Sequence, residues 1–362
     1  RLLRVKGSRT LLISAYVEHR TTKKEVRVIA IKLRREKVVL QCLLRCQDQQ
    51  LVSKAAIRIH RDHFRFPYGT ADVLCPVPSG CEAPTHVAIA PAPIKDQGNV
   101  TSSVFKNTAV DASASTAVSC FHSFNVNIYT VSQLVQNLEM LQLLGVNRVV
   151  VYKTNCSADV QRVLDYYSHK GLVEVIPWSL SKYLNVSRRA RPSQSPGDLH
   201  YFGQIPALND CLYRSMYRSR YVALHDLDEL ILPQSKKYGA DRCYLFENNW
   251  IPTDQWQNVS GVNILAHLYR EPIVPILRRR NFKVIVNPRA VFATSVHGVL
   301  KAKKSSVWVN RKIARMYHIK PRGQTSLKPQ SLIYEGRLLS YSADLTPAVN
   351  AVLRETRLLQ TA

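Results

Sequence analysis

Three carboxylates stand together in the second half of the chain, between two short apolar segments. Asp226, Asp228 and Glu229 follow the segment 221–224 and precede the segment 230–232. Side chains two positions apart in an extended chain project to the same side, so we predict that Asp226 and Asp228 face one site. Two carboxylates at the end of a strand suit Mn²⁺ or Mg²⁺, with diphosphate oxygens and water completing the coordination. Such an ion neutralises the charge that develops on a departing nucleoside diphosphate, so the pattern predicts metal-dependent group transfer.

A solvated acidic turn is the alternative interpretation of these carboxylates. A D-x-D pattern is weak by itself, because many chains of this length contain one by chance. Its context strengthens it, since the chain carries 51 Lys+Arg against only 25 Asp+Glu, and three of those acids fall within four positions. We therefore favour the metal site.

The elements that must position these carboxylates begin near residue 118, where strand-like and helix-like patterns alternate. Apolar residues recur at spacings of three and four between Val131 and Leu144, which predicts a helix that Ser132 caps and Gly145 ends. A second helix is predicted over 159–169, and strands over 118–124, 148–152 and 173–178. This order implies right-handed crossovers and a mostly parallel sheet that binds ligands at its carboxyl edge. Neither G-x-G-x-x-G nor a P-loop occurs, so a nucleotide must be held in another way.

The first quarter of the chain has a different pattern. β-like runs are predicted over 11–17, 26–31 and 37–40, and we interpret them as a small β-sandwich-like domain. Residues 91–115 have the composition of a linker. The predicted division is a β-rich module with its linker over 1–110, an α/β domain over 111–345 and a C-terminal tail over 346–362.

Cysteines and glycosylation sequons indicate the compartment. Eight cysteines occur, and the spacings C-x3-C at 42–46 and C-x5-C at 75–81 permit either a zinc site or disulfides. Disulfides are favoured because the second spacing is wide for zinc, but the pairing stays open. Four N-x-S/T sequons also fit a secretory lumen; they begin at Asn99, Asn155, Asn185 and Asn258.

The formal net charge of +26 raises the question of a polyanionic partner. Zinc-finger spacing, RNP-type aromatic motifs and a basic zipper are all absent from the sequence, and the basic residues are dispersed. We therefore expect a diffusely basic surface, suited to anionic nucleotide-sugars, and no nucleic-acid partner. No run of about 18 apolar residues occurs. We interpret the chain as a fragment or processed form whose membrane anchor lies outside this sequence.

Several blocks in a fixed order resemble glycosyltransferase family 92. The matching residues are 143–146, 150–152, 173–177, 203–204, 207–214, 226–229, 283–289 and 296–298. The resemblance implies a GT-A type nucleotide-diphospho-sugar transferase domain that follows a β-module, in a single-pass Golgi membrane protein. It also implies transfer of galactose from UDP-galactose to a glycan acceptor with inversion, and it makes a homodimer an expectation.

The resemblance assigns expected roles at the donor site. Asp226 and Asp228 match the metal and diphosphate site, and His297 is the preferred third metal ligand, with His318 as its rival. Asn155 is expected to contact the uracil or ribose, although its sequon competes with that role. Gln204 and Asp210, together with neighbouring Asn209, either contact the donor sugar or cap a helix.

Inversion requires a general base on the acceptor side. Glu271 is the first candidate and Asp254 the second, with Glu247 behind them. A surface salt bridge is the alternative role for Glu271. Ala266 stands where the resemblance leads us to expect an acidic residue, so a catalytically inactive, glycan-binding protein of the same fold is the alternative function.

Overall fold

The computed structural model describes residues 2–47, 49–81, 83–93, 102–104, 115–124, 130–233, 242–252, 262–274, 280–319 and 326–359. Every structural statement below concerns these residues. Asp254 and the sequons at Asn99 and Asn258 lie outside them.

The first nine strands form two antiparallel sheets. They are β1 (Leu3–Arg4), β2 (Leu11–Glu18), β3 (Glu25–Leu33), β4 (Leu40–Cys46), β5 (Gln49–Lys54), β6 (Ala56–Ile59), β7 (Tyr68–Pro76), β8 (Pro84–Pro91) and β9 (Ser102–Val104). The strand orders are β1-β2-β3-β7-β6 and β5-β4-β8-β9. Both sheets contribute to one hydrophobic core, to which alternating residues such as Val26 and Val28 on β3 and Leu44 on β4 belong.

Two details of the N-terminal prediction are wrong. The predicted strand at 37–40 instead begins at Leu40 and runs on to Cys46, because β4 is defined by its pairing with β5 and β8. Within the predicted linker, Ser102–Val104 pairs with β8 and forms the fourth strand of its sheet. Propensity alone does not reveal such pairing partners.

The expected disulfides are confirmed. Cys42 pairs with Cys75 and Cys46 with Cys81, and both bonds link a strand of one sheet to residues on or beyond β7. A third disulfide joins Cys120 to Cys211. Cys156 and Cys243 are free thiols.

A seven-stranded sheet forms the centre of the molecule. Its first part alternates strands with helices: β10 (Ser115–Phe124), α1 (Val131–Leu143), β11 (Arg148–Lys153), α2 (Ala158–His169), β12 (Val173–Pro177), α3 (Gln204–Arg214) and β13 (Ser219–Leu224). The strand order is β12-β11-β10-β13-β18-β15-β21, where β15 is Tyr244–Phe246, β18 is Lys283–Val286 and β21 is Val307–Trp308. β10 pairs in parallel with both β11 and β13. The alternation predicted from the sequence is thereby confirmed.

The residues at the two ends of α1 show where this helix begins and ends. Thr130, not Ser132, caps α1: its side chain accepts a hydrogen bond from the Gln133 N–H, and Gln133 bonds back in a capping box. Gly145 follows the helix with a φ of +83°, as the predicted terminator must.

The remaining elements in the described part of the chain are seven short strands and one helix. They are β14 (Glu229–Pro233), β16 (Asn248–Ile251), β17 (Tyr269–Arg270), β19 (Val291–Ser295), β20 (Gly298–Ala302), β22 (Ala314–Ile319), β23 (Ile333–Tyr334) and α4 (Ser342–Glu355). Short 3₁₀ turns occupy Leu180–Lys182, Tyr201–Gly203, Asn263–Ala266, Pro329–Ser331 and Gly336–Tyr341. β14, β22 and β16 form a three-stranded sheet. The predicted tail boundary at 345/346 falls inside α4, whose Leu345, Val349 and Val352 are buried in the same core as α1. None of the helices in the described part of the chain is long and apolar enough to span a bilayer.

Candidate functional site

The carboxylates lie in a tight turn at the carboxyl end of β13. The strand ends at Leu224, and the Glu229 N–H donates to the Asp226 carbonyl at 3.1 Å, which closes the turn. The extended geometry predicted for Asp226 and Asp228 is therefore wrong, because the chain must reverse between β13 and β14. From α1, the Asn137 side chain donates to the Leu227 carbonyl and holds the turn in place.

Asp226 is held by two partners. Gln204, the first residue of α3, donates to its Oδ1 at 2.8 Å, and Lys283, the first residue of β18, donates to its Oδ2 at 2.8 Å. The side chain of Asp226 is 26% exposed, whereas that of Lys283 is 1% exposed. Asp226 is thus oriented by the protein while one face still reaches solvent.

Glu229 is fully buried beside the same lysine. Its Oε2 lies 3.2 Å from the Lys283 ammonium and also accepts the Asp226 N–H at 2.8 Å. Burial raises the pKa of Glu229, and the nearby Asp226 and Asp228 add to the rise, while Lys283 and His318 oppose it. The third acid of the motif therefore supports the turn from inside the protein.

Asp228, like Asp226, is partly exposed. Its Oδ2 lies 3.5 Å from Nε2 of His318, and its side chain is 28% exposed. Trp250 stacks on His318 with ring centroids 4.1 Å apart, which fixes the plane of the imidazole. Burial works against protonation of His318, but the adjacent Glu229 and Asp228 raise its pKa overall.

His297 lies in the same region but farther out. Its ring is exposed, and its Nδ1 lies 3.2 Å from the Phe282 carbonyl. It interacts electrostatically with Asp226, Lys283 and His318, whereas His318 has a direct contact with Asp228. Of the two histidines that the sequence suggested as a third metal ligand, His318 is the one that contacts Asp228.

The expected divalent cation requires a set of donor side chains at the carboxylate turn. Within the described residues, no three His, Cys, Asp or Glu side chains come together as a metal cage. The pair Asp228 and His318 nevertheless offers one oxygen and one nitrogen donor, on side chains that are 28% and 17% exposed. This pair fits a cation that takes its remaining ligands from diphosphate and water, as Mg²⁺ and Mn²⁺ do in nucleotide sites.

A cavity of about 670 Å³ opens at the carboxyl ends of β11 and β12. Thr154 and Asn155, which follow β11, and Trp178, which follows β12, line it. The chain leaves β10 towards β11 and later returns to β13 on the other side of β10, so the switch point of the sheet lies between β10 and β13, where the carboxylate turn begins, and the cavity lies along the same carboxyl edge. Open α/β sheets bind ligands there, and the volume suits a nucleotide.

The segment 201–204 borders both the cavity and the carboxylate turn. Phe202 lines the cavity, while Tyr201 interacts electrostatically with Asp226 and Asp228. Tyr201, Phe202 and Gly203 have φ values of 28°, 49° and 75°, an uncommon run of left-handed residues. Gly203 is required here, since a Cβ would lie 2.3 Å from Leu180 Cδ1.

Asp210 and Asn209 are placed inside the protein, not at the cavity. Asp210 is fully buried and accepts hydrogen bonds from Tyr16 at 2.5 Å, Tyr152 at 2.6 Å and Arg214 at 3.0 Å. Asn209 exchanges two hydrogen bonds with the Thr294 backbone on β19. These contacts account for both side chains without a donor sugar.

The candidate bases occupy different environments. The Glu271 N–H donates to the carbonyl of Trp250 at 2.8 Å, so Glu271 adjoins the tryptophan that stacks on His318. Arg270 lies 3.5 Å from Glu335, and Glu247 lies 3.6 Å from Arg311. Arg270 also donates to the backbone carbonyl of Glu271 at 3.3 Å.

Comparisons with known proteins bear on this arrangement. The model of glycosyltransferase family 92 matches residues 115–337, which contain the whole central sheet, the carboxylate turn and His318. This chain belongs to glycosyltransferase family 92. It is also 25% identical over 217 residues to a β-1,4-galactosyltransferase, galt-1, of Caenorhabditis elegans. That match covers 56% of this chain and 48% of the relative, so the chain spans about half the length of the relative.

Two residues of this family 92 site were not singled out as site residues from the sequence. Lys283 neutralises the inner face of the turn, and Trp250 orients His318. Lys283 carried a usable signal, because a lone charge at the head of the apolar strand Lys283–Val286 requires a buried partner. Trp250 carried none, since its role depends on the pairing of β16 with β22.

Proposed function

We propose that this family 92 protein is a metal-dependent, inverting hexosyltransferase that transfers galactose from UDP-galactose to a glycan acceptor. The observation that carries the proposal is the Asp228–His318 pair on the turn after β13, at the same carboxyl edge of the sheet as a nucleotide-sized cavity. The named activity of the worm relative supports the choice of galactose. The sheet order and its crossovers support a GT-A type fold preceded by a β-sandwich-like domain.

Different residues are proposed to contact the different parts of the donor. Asn155 at the end of β11 is proposed to contact the uracil or ribose inside the cavity. Asp228 and His318 would hold Mn²⁺ or Mg²⁺ against the diphosphate, in preference to His297. The bound ion would supply charge neutralisation for the departing UDP. Gln204 and Lys283 fix Asp226 so that its remaining open face meets the diphosphate region.

Glu271 is proposed as the base that accepts the proton of the acceptor hydroxyl. The backbone of Glu271 is hydrogen-bonded to Trp250. Trp250 stacks on His318, which in turn contacts Asp228. Inversion requires a base on the acceptor side of the donor, and this is the position proposed for Glu271. Asp254 lies outside the described residues and stays the second candidate.

The cellular setting follows from the same family. Three disulfides support an oxidising compartment. We therefore propose the Golgi lumen, with a single-pass anchor outside this sequence. A homodimer is part of the same proposal and is tested by light scattering.

A transfer assay tests the activity. Purified protein with Mn²⁺ is given UDP-galactose, UDP-glucose or UDP-N-acetylglucosamine and a panel of neutral and acidic glycans. We expect galactose transfer, and NMR of the product should show a β linkage. Transfer that yields only the α-linked product would contradict inversion, and donor hydrolysis without transfer to any glycan would contradict the proposed transferase activity.

The same assay tests the base. Glu271→Gln should lower kcat by about 10²- to 10⁴-fold while UDP affinity stays unchanged. Glu355→Gln, on the surface of α4, is the matched control and should leave both quantities unchanged. A Glu271→Gln protein with full kcat would remove Glu271 from this role.

Ala266 motivates the alternative, a glycan-binding protein without turnover. It ends the 3₁₀ turn Asn263–Ala266, where an acidic side chain was expected. Metal-dependent UDP binding without transfer to any acceptor, unchanged when Ala266→Asp or Ala266→Glu is introduced, would favour that alternative. Transfer gained in either variant would identify the missing acid.

A further inference from the structure

A stretch of the chain next to the cavity carries an excess of positive charge. Residues 179–198 contain four basic residues and one acid, Asp198, which also lines the cavity. Lys182, Arg188, Arg189 and Arg191 are all exposed, and none of them forms an ion pair with any residue that the structure describes. We call this stretch the basic loop.

Buried arginines elsewhere in the molecule behave differently. Arg20 pairs with Glu18 at 2.6 Å, Arg27 pairs with Asp72, and Arg214 pairs with Asp210 at 3.0 Å. These arginines are therefore paired with acids, whereas the basic side chains of the basic loop form no ion pair with any residue that the structure describes. Unmatched cations at a cavity provide a binding potential for anions.

The basic loop is held in one shape by its own backbone. The Ser187 hydroxyl is buried within hydrogen-bond distance of the carbonyls of Arg189 and Ser195, at 2.9 and 2.7 Å. The Arg188 N–H donates to the Ser195 hydroxyl at 3.2 Å. Gly197 closes the base of the loop, because a Cβ there would lie 2.8 Å from the Asn185 carbonyl. The backbone that carries Arg188, Arg189 and Arg191 is thus held in one conformation.

The position of the basic loop links the cavity to the carboxylate turn. Lys182 and Arg188 line the cavity. Arg189 interacts electrostatically with Tyr201, which in turn interacts with Asp226 and Asp228. Three cations therefore extend from the cavity wall towards the place where sugar transfer is proposed.

We propose that Lys182, Arg188 and Arg189 form an anion subsite that binds a phosphate, sulfate or carboxylate group of a substrate. The subsite rests on the proposed function for its purpose, since transfer offers two anionic substrates. One source is the diphosphate of the donor, and the other is an acidic sugar on the acceptor glycan. Charge-assisted hydrogen bonds from a guanidinium recognise either group.

A triple variant, Lys182→Gln with Arg188→Gln and Arg189→Gln, tests the subsite. Its matched control is Lys37→Gln with Arg45→Gln and Lys54→Gln, which removes three exposed basic residues at the outer sheet β5-β4-β8-β9. That sheet lies away from α3, which is contacted by β2, β3 and β7 of the other sheet. Circular dichroism and thermal unfolding establish that both variants fold.

Calorimetry then compares each charged ligand with its uncharged counterpart, at low and at physiological ionic strength. The pairs are UDP against uridine and 3′-sialyllactose against lactose. We expect the triple variant to lose about tenfold in the affinity ratio of at least one pair, and the control to lose none. A loss confined to UDP assigns the subsite to the donor, and a loss for sialyllactose assigns it to an acidic acceptor.

Two results would overturn the subsite. One is a wild-type protein that binds neither charged ligand better than its uncharged counterpart. The other is a triple variant whose ratios equal those of the control. Failure of the proposed function is a separate result, because it appears as wild-type protein that binds no UDP with Mn²⁺, whatever happens with sialyllactose.

Discussion

At the scale of single residues, the carboxylate turn is balanced by one buried cation. Lys283 contacts Asp226 at 2.8 Å and Glu229 at 3.2 Å, and its pKa is raised, because these two carboxylates outweigh the burial that acts against its charge. It offsets only part of the negative charge of three acids. A divalent cation bound at Asp228 is proposed to offset part of the remainder.

Replacing Lys283 should destabilise the fold. Lys283→Met leaves two carboxylates facing each other in a buried space, so we expect the free energy of unfolding to fall by about 3–5 kcal/mol. Urea denaturation measures this change. Lys170→Met removes an exposed lysine that pairs with Glu355 on the surface, and it should cause no measurable change. Equal stability of the two variants would show that Lys283 is not essential to the turn.

Asp228 is predicted to be required for metal-dependent donor binding. Asp228→Ala should weaken UDP binding in Mn²⁺ by tenfold or more, which is about 1.4 kcal/mol or more, while leaving the N-terminal sheets folded. Isothermal titration calorimetry measures the affinity. Asp159→Ala, on exposed α2, serves as the control. Unchanged UDP affinity in Asp228→Ala would remove Asp228 from the metal site.

The two histidines give a direct comparison. Because His318 contacts Asp228 and His297 does not do so in any described contact, His318→Gln should reduce the Mn²⁺ dependence of UDP binding more than His297→Gln. The measurement is the Mn²⁺ concentration needed for half-maximal UDP binding. A larger effect from His297→Gln would restore the assignment first expected from the sequence.

At this scale the sequence predicts residue types better than partners. Asp226 and Asp228 were found because their type, spacing and position after an apolar strand all indicate one chemistry. Lys283 is one of 51 basic residues, and its partners lie more than fifty positions earlier in the chain. Only the antiparallel pairing of β18 with β13 brings it to the turn.

At the scale of elements, α3 connects the parts that build the site. Its first residue, Gln204, holds Asp226, and Asn209 holds β19 through Thr294. Asp210 accepts hydrogen bonds from Tyr16 on β2 and Tyr152 on β11. One helix thus fixes the carboxylate turn and the strand before the cavity in a common frame.

Removing one hydroxyl should weaken this frame. Tyr16→Phe leaves a buried, charged acceptor with one partner fewer, so we expect a loss of about 1–3 kcal/mol in the free energy of unfolding. Tyr183→Phe is the matched control, since that hydroxyl makes a 3.3 Å contact with the Leu2 carbonyl in a partly exposed place. Equal losses in the two variants would contradict a special role for the Tyr16–Asp210 contact.

Periodicity predicted the central elements well and their junctions less well. Strong apolar spacing located α1 and the three parallel strands within a few residues. The reversal after β13, the true cap of α1 and the start of β4 were missed, because they depend on local hydrogen bonds and on strand partners. These contacts form only in the folded protein, and a sequence pattern does not specify them.

At the scale of the whole molecule, the N-terminal sheets and the central sheet share a hydrophobic core. Leu11, Tyr16 and Ile29 from the first part pack in one cluster with Val118 and Trp178 from the second. His200 lies at the same junction, where its ring stacks on Phe64 at 4.1 Å. The N-terminal part is therefore built into the frame of the site, although the family match begins only at residue 115.

This junction should make stability depend on pH. Burial lowers the pKa of His200 to about 4, below its value of about 6.5 in an unfolded chain. The unfolded state then binds the proton first as the pH falls, so stability present above about pH 6.5 is lost as the pH falls towards 4. The expected loss from this group is about 2 kcal/mol at pH 5.

Urea denaturation at pH 7 and pH 5 measures the effect. His200→Gln should reduce the difference between the two pH values, whereas His169→Gln, at the exposed end of α2, should not. An unchanged difference in His200→Gln would show that other groups govern the acid sensitivity.

We propose that the carboxylate turn and the cavity together form a metal-dependent nucleotide-sugar site. Calorimetric titration of wild-type protein with UDP and UDP-galactose, first with Mn²⁺ and then with EDTA, tests it most directly. We predict binding of both ligands in Mn²⁺ that EDTA abolishes. Binding of equal strength in EDTA, or no binding in either condition, would contradict the account.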